Sequence, residues 1–226
     1  MKRRRDEEQM DDPALDPAVY AAVLADLGRV NRWTFAARPT LAFLRRAAAG
    51  RGRLRLLDVG FGQGDMLRAI AGWARGQGVD LELVGVDLNP KSVAVAAAAT
   101  PPDMAIDYRA GDYRGQGEFD LVISSLVAHH MSDSELLDLL GWMEARAARG
   151  WLVNDLHRHR ISFLGFPLLA RLLGAHRIVR EDGRLSIERS FRPGEWRDIM
   201  AKAGIPTGAA VVRRRFPFRL CVERLR

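Results

Sequence analysis

The chain has 226 residues with a formal net charge of +7, and 48% of the residues are hydrophobic against 28% charged. These proportions are those of an ordinary globular protein and exclude long disordered stretches, except in the first dozen residues, whose composition is that of a disordered segment. The single cysteine, Cys221, excludes an internal disulfide and a cysteine-based metal site, and it fits a reducing compartment.

The positive charge is spread along the chain and comes almost entirely from arginine, because Lys2, Lys91 and Lys202 are the only lysines. A nucleic-acid footprint would cluster on one face, so we expect no nucleic-acid partner. The opening MKRRR runs into DEEQMDD instead of an apolar segment, which predicts no secretory signal peptide. The longest apolar stretch, residues 161–174, contains Arg171 and is too short to span a bilayer. We therefore expect a cytoplasmic protein, either a monomer or a homodimer.

The first half of the chain begins with helical periodicity and continues with strands. Two helices are predicted within residues 17–49, with a break around Arg38-Pro39. The run RLRLLDV predicts a buried strand, and GFGQGD predicts the turn that leads from this strand into a helix. LELVGVD predicts a second strand, after which Asn89 caps an alanine-rich helix that Pro90 opens.

The second half continues the alternation and then interrupts it. A third strand is predicted around residues 105–109, and a fourth, FDLVISS, ends before a histidine pair. Ser132 and Glu135 form a capping box for the next helix, and GWLVND predicts a fifth strand. Residues 157–186 form an apolar, arginine-studded insertion, after which a helix over residues 193–203 and a closing hairpin, GAAVVRRRF and PFRLCVERL, are predicted.

This order of elements indicates an α/β fold. Strands that alternate with helices imply βαβ units and a doubly wound, Rossmann-like, mostly parallel sheet of seven strands with an antiparallel last strand. We expect one domain, in which residues 1–49 form a helical cap on residues 50–226, with a helical lid at about residues 160–186. Sheets of this kind bind ligands at the C-terminal ends of their strands.

Acids and glycines follow the first three strands at that end. The glycines of DVGFGQG let a ligand approach the backbone without a Cβ in the way. A dinucleotide fingerprint needs a glycine where Asp65 stands, and an acid there would repel a pyrophosphate. Asp87 can accept hydrogen bonds from both hydroxyls of a ribose, and Asp112 can accept one from an adenine amino group. These features predict a site for a nucleoside joined to an amino acid without phosphate, and S-adenosylmethionine (SAM) is such a ligand.

The combination of D-x-G-x-G-x-G, an acid after the second strand, G-D after the third, and S-F-x-x-x-E-W with a following A-G resembles class I methyltransferases over about residues 54–204. The resemblance implies a SAM-dependent methyltransferase that releases S-adenosylhomocysteine. It also implies roles for particular residues. The implied cofactor contacts are Asp58, Gly60, Gly62 and Gly64 at the methionine end, Asp87 at the ribose with Leu88 beside it, Asp112 and Tyr113 at the adenine, and Ser124 near the amino group.

The sequence of the loop after the fourth strand limits the classes of methyl acceptor. It reads SSLVAHHM and lacks the [N/D/S]-P-P-[Y/F] motif typical of enzymes that methylate amino groups of nucleic acids, as well as the paired glutamates of protein arginine methyltransferases. The histidine pair resembles bacterial small-molecule methyltransferases, including quinone-biosynthesis enzymes. RVNRW and NDLHRH resemble bacterial enzymes found near polyketide genes. These resemblances imply secondary metabolism and O-methylation of a phenolic or polyketide-derived acceptor.

Oxygen methylation requires a base, because a phenol with a pKa of about 10 must lose its proton as it attacks the methyl group. A neutral histidine suits that task. The histidines near the strand ends are His129, His130, His157 and His159. We predict His130 or His157 as the base. Asn154 and Asp155 lack a further carboxylate cluster, so we expect no metal and expect this pair to cap the following turn and to orient His157.

Other functions stay open from the sequence. The enzyme could methylate a carbon of a quinol or polyketide ring or a lipidic acceptor. A SAM-binding partner protein without turnover is a different class, which the histidines near the strand ends argue against. The basic and apolar insertion could also lie on an anionic membrane, although a lid over the site is the preferred interpretation.

Overall fold

The computed structural model describes residues 1–12, 14–50 and 52–226. The strands are β1 (Leu54–Val59), β2 (Leu81–Asp87), β3 (Ile106–Ala110), β4 (Phe119–Ser125), β5 (Ala147–Leu156), β6 (Val211–Arg215) and β7 (Arg219–Leu225). They form one seven-stranded sheet in the order β3-β2-β1-β4-β5-β7-β6. Strands β1 to β5 are parallel, whereas β7 is antiparallel to both of its neighbours. The predicted Rossmann-like sheet with an antiparallel last strand is therefore confirmed.

Several of the helices begin at residues whose side chains cap them. The helices are α1 (Pro17–Trp33), α2 (Ala37–Ala47), α3 (Asp65–Gln77), α4 (Pro90–Ala99), α5 (Asp133–Arg146), α6 (Arg160–Leu172), α7 (Arg177–Arg189) and α8 (Pro193–Lys202). Asn89 caps α4 by accepting the Lys91 amide. The predicted capping box of α5 is confirmed, since the Ser132 side chain accepts the Glu135 amide and the Glu135 side chain accepts the Ser132 amide.

The break between the first two helices differs from the prediction. It falls at residues 34–36, where Phe35 takes a positive φ of 52°. Arg38 and Pro39 lie inside the first turn of α2 instead of between the helices. A proline is tolerated there because the first amides of a helix have no intrahelical partner.

Each face of the sheet is covered by helices. On one face, Leu56 and Leu121 pack in a buried cluster with Phe43 of α2 and Leu67 of α3. On the other face, buried side chains of β1, β4 and β5 pack with helices α5 and α8, and Trp196 is fully buried there. The two layers hold the strand ends in place, so that the loops after β1, β2, β4 and β5 meet at one edge of the sheet.

The insertion after β5 forms helices α6 and α7, which pack on α1. Ala170, Ile178 and Val179 of the insertion form a buried cluster with Val23 and Val30 of α1. This cluster is separate from the two that cover the sheet, and it lies over the edge where the strands end. None of the helices within the described residues has the length and the apolar character needed to cross a bilayer.

The first dozen residues pack against the rest of the chain, contrary to the expectation of disorder. The carboxylate of Asp182 in α7 accepts the backbone amides of Gln9 and Met10 at 3.1 and 3.0 Å. Arg3 forms an ion pair with Asp133 at the start of α5. The side chain of Glu8 is only 1% exposed. The charges that make this segment resemble a disordered one have partners on α5 and α7 that sequence alone does not reveal.

Candidate functional site

A cavity of about 630 Å³ lies at the C-terminal ends of the central strands. Its size falls in the range of small-molecule sites, roughly 300 to 1,000 Å³. The loops after β1 and β2 line it, together with the histidine pair after β4. Helices α1, α6 and α7 and the N-terminal segment complete the lining.

The glycine loop after β1 has a backbone that only glycine adopts without strain. Gly60, Gly62 and Gly64 have φ values of 76°, 56° and 75°. A Cβ on Gly60 would lie 2.5 Å from a methyl of Val127, and one on Gly64 would lie 2.4 Å from the Tyr108 hydroxyl. Gly60 and Gly62 line the cavity, whereas Gly64 begins α3 beside it.

Asp87 reaches the cavity from the end of β2. Its two carboxylate oxygens accept the backbone amides of Gly62 and Asn89, each at 2.9 Å. Burial raises the pKa of Asp87 above its ordinary value. The carboxylate retains further lone pairs toward the cavity, and the exposed side chain of Leu88 lies next to it on the lining.

Asp58 directly precedes Val59, which lines the cavity, but is not itself part of the lining. It is fully buried, and neither carboxylate oxygen has a hydrogen-bond partner among the residues that the structure describes. Burial, and then the charges of Asp65 and Asp87, raise its pKa well above the ordinary value. A buried carboxylate without a partner is costly, so this position fits a ligand that brings a positive charge, such as the ammonium group of SAM.

The remaining predicted contacts divide between the cavity and its surroundings. Asp112 pairs with the Arg114 guanidinium at 2.5 Å, and this hydrogen bond lowers the pKa of Asp112. The Ser124 hydroxyl donates to the Val59 carbonyl at 3.0 Å in the core, and the next residue, Ser125, lines the cavity instead. Of the predicted cofactor residues, the cavity lining includes Gly60, Gly62, Asp87, Leu88 and Tyr113 but not Asp58, Gly64, Asp112 or Ser124.

Both histidines of the pair after β4 contact carboxylates. The Nδ1 atom of His129 lies 2.6 Å from Oδ1 of Asp155, whose other oxygen accepts the His129 amide at 2.9 Å. The Nδ1 atom of His130 lies 2.8 Å from Oδ2 of Asp11. The prediction that Asp155 orients His157 is therefore wrong, because Asp155 orients His129 instead. Asn154 is fully buried, and its side-chain amide donates to the Ala36 carbonyl between α1 and α2. It therefore does not orient His157 either.

Glu8 faces both histidines from the N-terminal segment. Its Oε1 lies 3.9 Å from Nε2 of His129, and its Oε2 lies 3.8 Å from Nε2 of His130. Its Oε1 also accepts the Ser186 hydroxyl at 2.9 Å. Burial raises the pKa of Glu8 to about 7. Sequence reasoning missed this residue, because nothing in the run DEEQMDD distinguishes Glu8 from its exposed neighbour Glu7.

The other two histidines of the strand ends have different surroundings. His157 is half-buried and lines the cavity, and its backbone amide donates to the Phe218 carbonyl. Burial lowers the pKa of His157, and the nearby positive charges of Arg214, His159 and Arg192 lower it further. His159 caps α6 by accepting the Ile161 amide and is absent from the cavity lining.

Residues 57–138 match the family model described as a methyltransferase domain. No curated protein matches the sequence. The matched residues include the glycine loop, Asp87 and the histidine pair, whereas the cavity residues of the N-terminal segment and of helices α1, α6 and α7 lie outside the match.

Solved structures resemble the whole chain. Human N-acetylserotonin methyltransferase in complex with SAM has a TM-score of 0.65 at 15% identity, covering 93% of this chain and 56% of the human one. This chain thus spans little more than half of the human protein's length. A SAM-dependent methyltransferase from Aquifex aeolicus has a TM-score of 0.62 at 15% identity, covering 93% and 98%. Magnesium protoporphyrin IX methyltransferase from Synechocystis PCC 6803 has a TM-score of 0.56 at 15% identity, covering 96% and 91%. At these identities the likeness is one of fold.

Proposed function

We propose that this chain, of which residues 57–138 match the model of a methyltransferase domain, is a class I SAM-dependent methyltransferase that transfers a methyl group to a hydroxyl oxygen of a small-molecule acceptor. The observation that supports this most is the shared cavity. Its lining includes the glycines and Asp87 together with histidines and further carboxylates. A methyl donor and an acceptor that needs deprotonation can therefore meet within one enclosed volume.

The cofactor end suits SAM. Gly60 and Gly62 admit a ligand to the backbone, and Asp87 accepts hydrogen bonds from the ribose hydroxyls. We assign the ammonium group of SAM to the neighbourhood of the buried Asp58, whose carboxylate a nearby positive charge would stabilise. Bound there, SAM supplies a methyl group that its sulfonium has already activated.

The acceptor end suits an apolar small molecule. We assign to it Leu27 and Val30 of α1 and Phe166 and Leu169 of α6, which line the cavity. Two of the similar structures are named for small-molecule acceptors, N-acetylserotonin and magnesium protoporphyrin IX. An apolar ring with a hydroxyl, as in a phenolic or polyketide-derived compound, matches a lining in which apolar side chains lie beside histidines and carboxylates.

His157 is the better of the two predicted bases. Both ring nitrogens of His130 face carboxylates, of Asp11 and Glu8, whereas no described side chain hydrogen-bonds the ring of His157. The lowered pKa of His157 keeps its imidazole neutral near pH 7 and able to accept a proton. As the acceptor oxygen attacks the methyl carbon, its proton passes to His157, the carbon–sulfur bond breaks, and the electron pair stays on sulfur.

The charges around His157 predict a pH dependence. We expect kcat/KM to rise with pH along a limb whose midpoint lies below about 6.5, because burial and the charges of Arg214, His159 and Arg192 disfavour the imidazolium form. Arg214→Met removes one of these charges, so the limb should move to higher pH. Arg213→Met, on the same strand, should leave it in place. A limb that is unmoved by Arg214→Met would assign the titration to another group.

A methyl-transfer screen tests the function directly. The protein is incubated with labelled SAM and a panel of phenols, quinols and pyrones, and the mass and position of the added methyl are determined. Transfer to oxygen supports the proposal. Transfer to a ring carbon would replace it with C-methylation, and SAM binding without transfer to any acceptor class would favour a binding protein.

A further inference from the structure

We propose that Glu8, His129 and His130 together bind a divalent transition-metal ion at the acceptor end of the cavity. The sequence predicts no metal, because Asn154 and Asp155 lack a further carboxylate cluster. In the structure both side chains are engaged with protein groups in the core. The structure assembles a different set from the N-terminal segment and the loop after β4.

The ligand atoms are close enough to share one ion. The Glu8 oxygens lie 3.9 Å from Nε2 of His129 and 3.8 Å from Nε2 of His130, and one ligand atom from each of the three residues lies within 4.8 Å of the others. Ligands of a tetrahedral ion with bonds of about 2.1 Å are separated by about 3.4 Å. The Glu8 distances exceed this separation by about 0.5 Å and no pair exceeds it by more than about 1.4 Å, so small inward movements of the side chains would complete the site.

The second observation is the carboxylate behind each histidine. Asp155 holds Nδ1 of His129 at 2.6 Å, and Asp11 holds Nδ1 of His130 at 2.8 Å. Metal-binding histidines usually donate the N–H of the other ring nitrogen to a carboxylate or carbonyl, which fixes the tautomer and leaves a lone pair for the metal. Here two such pairs, built on different segments, direct both Nε2 atoms toward Glu8.

The local charge also favours a cation. Glu8, Asp11 and Asp155 contribute three carboxylates, and the nearest guanidinium, that of Arg189, lies 4.0 Å from Glu8. That guanidinium already donates to the backbone carbonyls of His129 and His130. Glu8 and Asp155 are buried, and buried carboxylates need compensation, which a divalent ion between Glu8 and two neutral imidazoles provides.

The donor set indicates the class of metal. Two imidazole nitrogens and one carboxylate suit Zn²⁺, Co²⁺, Mn²⁺ or Fe²⁺, whereas Mg²⁺ and Ca²⁺ prefer oxygen ligands. Three protein ligands leave a coordination position open, and all three residues line the cavity. The role assigned to the ion rests on the proposed function: it binds the acceptor oxygen and favours loss of the hydroxyl proton, which passes to His157 and then to solvent.

Cobalt binding tests the site without relying on activity. The full chain is stripped with a chelator and titrated with Co²⁺, while visible absorption reports the coordination and SAM calorimetry reports the fold. We expect one Co²⁺ per chain with absorption bands of a nitrogen- and oxygen-ligated ion. Glu8→Gln should weaken Co²⁺ binding by at least about tenfold, and Asp11→Asn by about 10- to 100-fold, since outer carboxylates typically contribute that much.

Glu7→Gln is the matched control, because Glu7 is exposed and adjacent in the same segment. It should bind Co²⁺ like the unchanged protein, and all variants should bind SAM equally. Absence of Co²⁺ binding in a protein that binds SAM would overturn the metal site and leave the proposed function standing, as would equal Co²⁺ affinity in Glu8→Gln. Normal Co²⁺ binding with no methyl transfer to any acceptor would instead overturn the proposed function alone.

Discussion

Replacing Asp87 with alanine is expected to weaken SAM binding by about 1.5 to 3 kcal/mol, roughly 10- to 150-fold in Kd. The carboxylate is charged and largely buried, and in the proposed complex it accepts hydrogen bonds from the ribose. It also accepts the amides of Gly62 and Asn89, so its loss loosens both the glycine loop and the start of α4. Isothermal titration calorimetry with SAM and with S-adenosylhomocysteine measures the change.

Asp107→Ala is the control for that experiment. Asp107 lies on the adjacent strand β3, and its exposed carboxylate pairs with Arg109 away from the cavity. Its loss should leave the affinity for SAM unchanged. A folded Asp87→Ala protein that binds SAM as tightly as the control would remove Asp87 from the ribose site.

The second large effect is expected at the base. His157→Ala should lower kcat by about 10² to 10⁴, the usual contribution of general-base catalysis, while the Kd for SAM stays nearly constant. Turnover should persist at the reduced rate, because the sulfonium activates the methyl group and the cavity still orients the reactants. Steady-state kinetics under saturating SAM, with calorimetry on the same preparations, separates the two quantities.

The neighbouring histidine provides the comparison for this variant. His159→Ser removes an imidazole that contacts the His157 ring at 5.6 Å between centroids, yet serine can still cap α6. It should therefore retain most of kcat. Full activity in His157→Ala would exclude that residue as the base. Loss of thermal stability together with SAM affinity would indicate that the His157 ring serves packing.

Signals that act over a few residues predicted most of the fold. The run FDLVISS corresponds to β4 at both ends, and the capping box at Ser132 marks the residue where α5 begins. Buried apolar runs and helix caps depend on neighbours within one or two turns, so a single sequence contains them. Pro39 shows the limit of such signals, because a proline can mark either the end of one helix or the first turn of the next.

Contacts between distant segments were not predictable in the same way. Ser124 and Ser125 are adjacent in a strand and point to opposite sides, so the resemblance alone could not decide which one lines the cavity. The partner of Asp155 is His129 and not His157, a choice set by how the loop after β4 folds back over β5. Glu8 is more than a hundred positions from both histidines, and no local pattern connects them.

The cluster formed by α1, α6 and α7 is distinct from the two clusters that cover the sheet. Substitutions in well-separated clusters usually have additive effects on stability. The wall that surrounds the acceptor can therefore change during evolution, or in the laboratory, with little consequence for the sheet that carries the glycine loop and Asp87. Variants at Leu27, Phe166 or Leu169 offer a route to new acceptor specificities in which the cofactor site serves as a fixed reference.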